Sequence, residues 1–539
     1  MYMALFITAV VIILCIFLNK VSTRLGIPML LAFILLGMFF GSDGVGKIEF
    51  SNYGFAEQIC SVALIFIMFY GGFGTKWSAA KPVAVKAVLL SSVGVMLTAA
   101  ITGLFCHFIL KMALLESFLI GAVISSTDAA SVFSILRSRR LNLKDNTASL
   151  LEVESGSNDP CAYMLTTIIL ALMGGTVSGG KITYMIFAQL AYSAVLGFAI
   201  AFVTARILKK YRFSADGFDA AFVLAIALLA YAVPAVLGGN GYLSTYIVGI
   251  YLGNHEIQNK KSLVNFFDGI TGLMQMLLFF LLGLLAFPSQ MPAIFLPALC
   301  IALFLTFVAR PISVFAILSP FKSSLKQQLL VSWSGLRGAA SIVFAVMVTV
   351  SPVSTSNDIF HITFLIVLFS ILFQGSLIPF LSRKLNMIDD SVDVLKTFSD
   401  YSDEMPVQYI QFKIGKGHLW ADKKVEEVTL PPETLLVLLK RDGRNLIPDG
   451  QTKLQPDDTL VLSAQAQVPG TMDGIMLTEK IIEKKDDWAG KMIADIPKKD
   501  GILIIMIQRN GKVIIPKGHT VLKEGDMLVI NHENQFVEG

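Results

Sequence analysis

Leu151-Glu152-Val153-Glu154-Ser155-Gly156-Ser157-Asn158-Asp159-Pro160 puts three carboxylates into ten residues, and the apolar stretch Cys161 to Met173 follows at once. Thirteen apolar residues are too few to cross a bilayer, so a spanning helix here must draw the acidic turn into the membrane. A carboxylate at that depth costs roughly 2.5 to 3.5 kcal/mol on insertion scales, and such residues face a bundle interior or a wet cavity. On a helix Ser155 lies one turn before Asp159 and Glu152 two turns before it, while Glu154 and Asn158 are four apart. Two neighbouring polar stripes therefore face inward.

The rest of the chain supplies the membrane setting. Of its 539 residues 55% are hydrophobic and 15% charged, with a mean hydropathy of +0.69, a composition that excludes an ordinary soluble enzyme. Thirteen apolar runs lie between residues 2 and 381. Alternate connections carry the basic residues, among them Lys20 and Arg24, Lys76 and Lys81, Arg137 to Lys144, Lys209 and Lys210, Lys260 and Lys261, Lys322 and Lys326, and Arg383 and Lys384. By the positive-inside rule the N-terminus is expected outside an inner cell membrane and the tail in the cytosol. The net charge of +4 is thus a topology signal, and no nucleic-acid partner is expected. The five cysteines are scattered through apolar runs without CxxC spacing, which argues against a disulfide frame or a zinc site.

Two further runs are interrupted. Ser125-Ser126-Thr127-Asp128 breaks the fifth, and Ser334-Gly335-Leu336-Arg337-Gly338 breaks the twelfth. Paired broken helices in two halves of a chain point to inverted repeats with an ion site at the breaks. Unwound carbonyls there can replace a cation's water, Asp128 suits positive helix N-termini, and Arg337 suits negative C-termini and could also pair with Glu154. The fold expected is an α-helical polytopic membrane protein of about 13 spans with two broken crossing helices, carrying small α+β modules in its tail.

Ser126-Thr127-Asp128, Glu154 to Asp159 and Gly335-Leu336-Arg337-Gly338 together resemble the NhaP-like branch of the cation:proton antiporters, over residues 1 to about 385. The resemblance implies a homodimer in which a core bundle moves against a fixed dimerisation bundle. It implies that Asp159 alternately holds a cation (K+ or Na+) or a proton, with Ser155 and the Thr127 backbone joining the coordination. It further implies that Asn158 with Asp128 ties down the breaks, and that Glu154 and Arg337 form a structural ion pair. Asn158-Asp159 supplies one titrating carboxylate where some relatives have two. One site means one proton per cation, and an electroneutral exchange.

One departure is Tyr70, which stands where several relatives carry an acidic residue and reads as an interface-belt aromatic. His107 and Arg310 read as packing or helix-end residues, with Arg310 before Pro311 compensating a kink.

The tail is a repeat. Trp420-Ala421, Arg441-Asp442-Gly443, Ile447-Pro448-Asp449-Gly450 and Asp458-Thr459-Leu460-Val461 recur 68 positions later as Trp488-Ala489, Arg509-Asn510-Gly511, Ile515-Pro516-Lys517-Gly518 and Asp526-Met527-Leu528-Val529. The organisation expected is a membrane domain over 1–385, a linker over 386–404, and two copies of one module over 405–468 and 469–539. Each has strand runs joined at Asp442-Gly443 or Asn510-Gly511. Both copies resemble the TrkA-C subdomain of the regulators of potassium conductance. No GxGxxG follows a strand, so no dinucleotide cofactor is expected. Some relatives of such modules bind cyclic di-AMP, and Arg441, Arg509 and His519 are the residues that could meet an anionic effector.

The function expected is therefore exchange of K+ for H+ in potassium and pH homeostasis, regulated by the tail, and not an enzymatic reaction. The association of such modules with potassium systems favours K+. Alternatives are Na+/H+ antiport as the main activity, a gated cation channel, for which no carbonyl filter sequence is found, and an intramembrane hydrolase, for which no suitably placed base is found.

Overall fold

The computed structural model describes residues 9–18, 29–138, 141–175, 178–211, 217–255 and 260–389, with Tyr2 and Ile257. In the tail it describes 407–465 and 475–533, apart from 416–417, 419, 429, 431–433, 442–443, 483–485, 487, 496–501, 510–511, 515 and 517. Two units, Met1–Ser402 and Asp403–Gly539, divide the chain and are described separately. Of the expected linker, residues 390–404 lie outside the described residues, as do the basic loop residues Lys20, Arg24, Arg139 and Arg140.

Among the described residues, thirteen helices or helix pairs follow the thirteen apolar runs. They are α1 (Ala9–Leu18), α2 (Met29–Phe40), α3 (Tyr53–Gly74), α4 (Ala84–Phe108), the two halves of α5 (Leu114–Val123 and Ala129–Ser138), α6 (Thr147–Met173) and α7 (Gly179–Lys210). There follow α8 (Phe218–Val236), α9 (Gly241–Gly253), α10 (Lys260–Leu284), α11 (Pro288–Leu318), the two halves of α12 (Leu325–Trp333 and Ala339–Val350) and α13 (Ile359–Lys384). Seven of these are long and apolar enough to cross a membrane unaided. The others are short, broken or, like α6 with its 27 residues, interrupted by carboxylates. Polar caps start several of them: Asn52 accepts from the N–H of Phe55 (2.9 Å), Asn240 from that of Leu243 (3.1 Å) and Asp358 from that of His361 (3.0 Å), each satisfying an N–H that the helix leaves over.

The breaks lie at 124–128 and 334–338, and they meet. The N–H of Asp128 donates to the carbonyl of Leu336 (2.8 Å). Gly338 is required at the crossing, because a Cβ there would lie 2.4 Å from the Cβ of Asp128. The helix preceding each broken helix carries a wide π turn, Leu90–Gly94 in α4 and Leu305–Ala309 in α11. Just beyond these turns the hydroxyl of Thr98 donates to that of Ser313 (3.0 Å). The order of π-turn helix, broken helix and following helix thus occurs twice, as inverted repeats require. Phe33, Phe69, Phe267 and Phe344 are fully buried in the apolar clusters between helices, whereas Phe187, Phe198 and Phe202 of α7 are exposed. Exposed aromatics along a helix of this hydropathy suit contact with lipid.

In the tail each copy is a four-stranded antiparallel sheet. Strands β1 (Val407–Lys413), β2 (Thr434–Arg441), β3 (Arg444–Leu446) and β4 (Thr459–Gln465) take the order β1-β4-β2-β3. Strands β5 (Ile475–Ile481), β6 (Ile502–Arg509), β7 (Lys512–Ile514) and β8 (Met527–Glu533) take the order β5-β8-β6-β7. A single 3₁₀ turn accompanies each sheet among the described residues, Val425–Glu427 and Ile493–Asp495. The expected hairpin turns Asp442-Gly443 and Asn510-Gly511 lie outside the described residues. The flanking pairs Arg441↔Arg444 and Arg509↔Lys512 leave two residues for each of them. Both copies carry a bulge at the same place, between Leu436 and Leu438 and between Ile504 and Met506.

Candidate functional site

The site forms where α6 passes the break of α5. Pro160 lies inside α6 and has no N–H to give the carbonyl of Gly156, so the helix ladder is interrupted beside Asp159. The side-chain amide of Asn240 takes the carbonyl of Pro160 itself (2.8 Å). Asp159 is 6% exposed, and its Oδ1 accepts a hydrogen bond from the hydroxyl of Ser126. Ser155 donates to the carbonyl of Thr127 (2.9 Å), and the amide of Asn158 donates to the Thr127 hydroxyl (2.5 Å). Asp159, Ser155, Thr127 and Asn158 are thus gathered at one point, with Ser126 as an additional member that the sequence had placed only within the motif.

Charges at the breaks are handled locally. Asp128 accepts from the N–H (3.3 Å) and the hydroxyl (2.5 Å) of Ser131, so it caps the positive start of the second half of α5. Asn158 reaches the break through Thr127. Arg337 donates through Nη1 to the carbonyls of Ser125 (2.7 Å) and Ser126 (2.8 Å), neutralising the negative end of the first half of α5, as its placement led us to expect.

The ion pair is different from the expectation. Glu154 pairs with Arg310, whose Nη2 lies 2.5 Å from Oε1, and both side chains are buried. Arg337 is occupied by the α5 carbonyls, whereas Arg310 follows the π turn of α11 and comes to α6. The packing or helix-end role expected of Arg310 gives way to that of counter-ion. Its signal was present in the sequence, since a guanidinium inside an apolar run needs an anion. Tyr70 also departs from the expectation: its hydroxyl donates to Oδ1 of Asp268 on α10 (3.1 Å), a carboxylate that sequence reasoning had missed. His107 does sit at a helix end, its Nδ1 beside the carbonyl of Met112 (2.9 Å).

The oxygens around Asp159 are one carboxylate, hydroxyls and backbone carbonyls. Such a set suits a hard monovalent cation or a proton. No Lys or Arg is among the partners of Asp159 in the described residues.

In the tail Arg441 and Arg509 each form an ion pair within their own module. Arg441 grips Asp458 through Nε (2.8 Å) and Nη2 (2.7 Å) and also donates to the carbonyl of Lys453 (2.8 Å). Arg509 grips Asp526 through Nε and Nη2 (both 2.7 Å) and donates to the carbonyl of Val521 (2.8 Å). Two-pronged pairing commits Nε and Nη2 of each guanidinium to its own module. His519 is exposed. Burial pushes the carboxyl of Asp458 up, but the Arg441 guanidinium and the N–H of Gln455 outweigh it and hold the group below the usual carboxylate range. The Arg509 hydrogen bond does the same for Asp526 against its burial.

With this geometry in view, the family model for the transmembrane sodium/hydrogen exchanger matches residues 8–384. The chain belongs to the sodium/hydrogen exchanger family. The model for the TrkA-C domain matches twice in the tail, at 409–468 and 477–531. The chain is 34% identical to the K(+)/H(+) antiporter NhaP of Alkalimonas amylolytica over 457 residues, which is 83% of this chain and 79% of that one. It is 32% identical over 454 residues, again 83% and 79%, to the K(+)/H(+) antiporter NhaP2 of Shewanella sp. (strain MR-4). Among solved structures, the sodium proton antiporter MjNhaP1 of Methanocaldococcus jannaschii at pH 8 matches with a TM-score of 0.64 and 27% identity, over 71% of this chain and 99% of that one. This exchanger-family chain is therefore a multi-pass membrane protein with two TrkA-C domains.

Proposed function

We propose that the protein is a secondary antiporter exchanging K+ for H+, one for one, with Asp159 holding the cation and the proton in turn. The observation that carries this reading is the contrast within α6. Glu154 is neutralised by Arg310, while Asp159, five residues on, has among the described residues only the Ser126 hydroxyl as its side-chain partner. A carboxylate at that depth without a cationic side chain requires a proton or a metal cation. Ser155 and Thr127 supply further oxygens, and the amide at Asn158 leaves one titrating group, which supports electroneutral exchange. The potassium preference draws support from the relatives whose names record K(+)/H(+) antiport. Na+ as the main substrate is the alternative, supported by the 28% identical Na(+)/H(+) antiporter 1 of Methanocaldococcus jannaschii.

In this reading the protein works as a homodimer in the lipid of an inner cell membrane, with its N-terminus outside and its tail cytoplasmic. The tail adjusts exchange in response to a small anionic effector such as cyclic di-AMP. His519 is the expected contact that carries no ion pair among the described residues, so the effector reading rests on it more than on the two arginines.

Proteoliposomes loaded with a pH-sensitive dye test the central claim. Addition of K+ or Na+ is expected to move protons through the wild type and not through Asp159→Asn, without dependence on membrane voltage. Full exchange by the variant, or voltage-driven cation flux without proton movement, overturns the reading, and the second result makes the protein a channel. The same assay with K+, Na+ and Li+ ranks the substrates.

A further inference from the structure

The acidic face of α6 is turned toward α9. Glu152, Gly156 and Asp159 recur at i, i+4 and i+7, which places them on one stripe, and the ring of Tyr246 from α9 enters that stripe at Gly156. A Cβ on Gly156 would lie 2.6 Å from the Tyr246 hydroxyl oxygen, so glycine is what admits the phenol. Tyr246 is 3% exposed, and among the described residues its hydroxyl has no hydrogen bond of good geometry. Thr75, at the end of α3, is the polar side chain beside that hydroxyl, and it gives its own proton to the carbonyl of Gly71 (2.9 Å). Gly156 precedes Asp159 by three residues in α6, so the phenol meets the helix within one turn of that carboxylate. A buried hydroxyl oxygen without a partner is rare in a native interior and calls for an explanation in terms of a missing water, ion or catalytic role.

We propose that the phenolic oxygen of Tyr246 is a ligand of the transported cation, so that the site anchored on α6 by Asp159 is completed from the facing helix α9. This rests on the exchange reading above. The neutral phenol keeps its proton and offers its lone pairs, replacing one water of the cation's shell. On the same turn Pro160 leaves the carbonyl of Gly156 without its helical donor, giving a second oxygen close to the same slot. Because α6 and α9 contribute oxygens to one ion, cation affinity depends on their approach. The proton form of Asp159 makes no use of Tyr246.

Tyr246→Phe removes only the oxygen and tests this directly. The half-saturating K+ concentration for proton movement is expected to rise about tenfold, as for loss of one ligand interaction worth an ordinary hydrogen bond to a charged group, with the maximal rate within about twofold of wild type. Gly156→Ala, which pushes the ring out of its slot, is expected to raise half-saturation in the same way. As a readout independent of turnover, K+ should raise the thermal midpoint of the purified wild-type protein more than that of Tyr246→Phe. Unchanged half-saturation in both variants, or a fall in maximal rate alone, overturns the proposal. Retained exchange in Asp159→Asn instead defeats the exchange reading, whatever Tyr246 does.

Discussion

Asp159 in the membrane unit and Asp458 in the tail are both buried carboxylates, 6% and 1% exposed, yet their surroundings are opposite. Asp458 is clamped by two prongs of Arg441 and receives the N–H of Gln455 (2.7 Å). Asp159 has a hydroxyl. The first is satisfied by the fold; the second, in the proposed exchange, is satisfied by an arriving proton or cation. Burial therefore does not by itself mark a carboxylate as functional. Glu154 adds to the contrast from within α6, since it is buried like Asp159 yet has a cationic partner, Arg310.

That contrast can be broken most forcefully at Arg310. Arg310→Ala leaves Glu154 charged and buried without its partner, and removing one member of a buried pair costs about 3 to 5 kcal/mol. We expect the purified variant to unfold at a clearly lower temperature. Arg310→Met combined with Glu154→Gln, which removes both charges, is expected to recover most of the loss. Equal stability of Arg310→Ala and wild type would mean that Glu154 is not held as an anion by Arg310. The distinction between it and Asp159 would then fall.

Much of this site was legible in the sequence, for a physical reason. Apolar runs fix which residues lie at membrane depth, and the helical repeat fixes which of them share a face, so Asp159, Ser155, Asn158 and both breaks follow from spacing. Pairing between helices does not follow. Arg310 and Arg337 are both arginines in apolar runs, and which of them meets Glu154 depends on the π turn Leu305–Ala309 and on the carbonyls of Ser125 and Ser126, neither of which leaves a mark in composition. Tyr246 was hidden for the same reason, since a tyrosine in a spanning run has no periodic signature. In the tail the 68-residue repeat revealed the two modules. It also held a signal that went unread: arginine and aspartate recur at one spacing, Arg441 with Asp458 and Arg509 with Asp526. A pair retained in both copies is better explained by mutual contact than by two solvated hairpin ends.

The tail clamps sharpen the comparison with a smaller effect. Arg441→Ala strands Asp458, and because the arginine is partly exposed (26% against 1% for the carboxylate), water offsets part of the loss, leaving about 2 kcal/mol. Hydrogen exchange in the full chain should show faster opening of β2 and β4, with β6 and β8 unaffected. Arg509→Ala should reverse the pattern. Faster exchange in both sheets from either variant would mean that the copies do not open as separate units.

Acid should produce the smallest effect, with a sign that separates the two kinds of carboxylate. The clamps hold Asp458 and Asp526 below the usual range, whereas the unfolded chain titrates near ~3.9. The stabilisation is then fully present above that value and is lost as pH falls through the lower folded one. Between pH 7 and pH 5 the tail sheets are expected to keep their hydrogen-exchange protection, and to lose it only below about pH 4. In the proposed exchange, proton movement through the membrane unit depends on Asp159 and not on the clamps, so its variation with pH should be independent of tail protection. If tail protection and cation-driven exchange declined together on acidification, one titrating group would control both, and the clamped carboxylates could no longer be set apart from the one that waits for its ion.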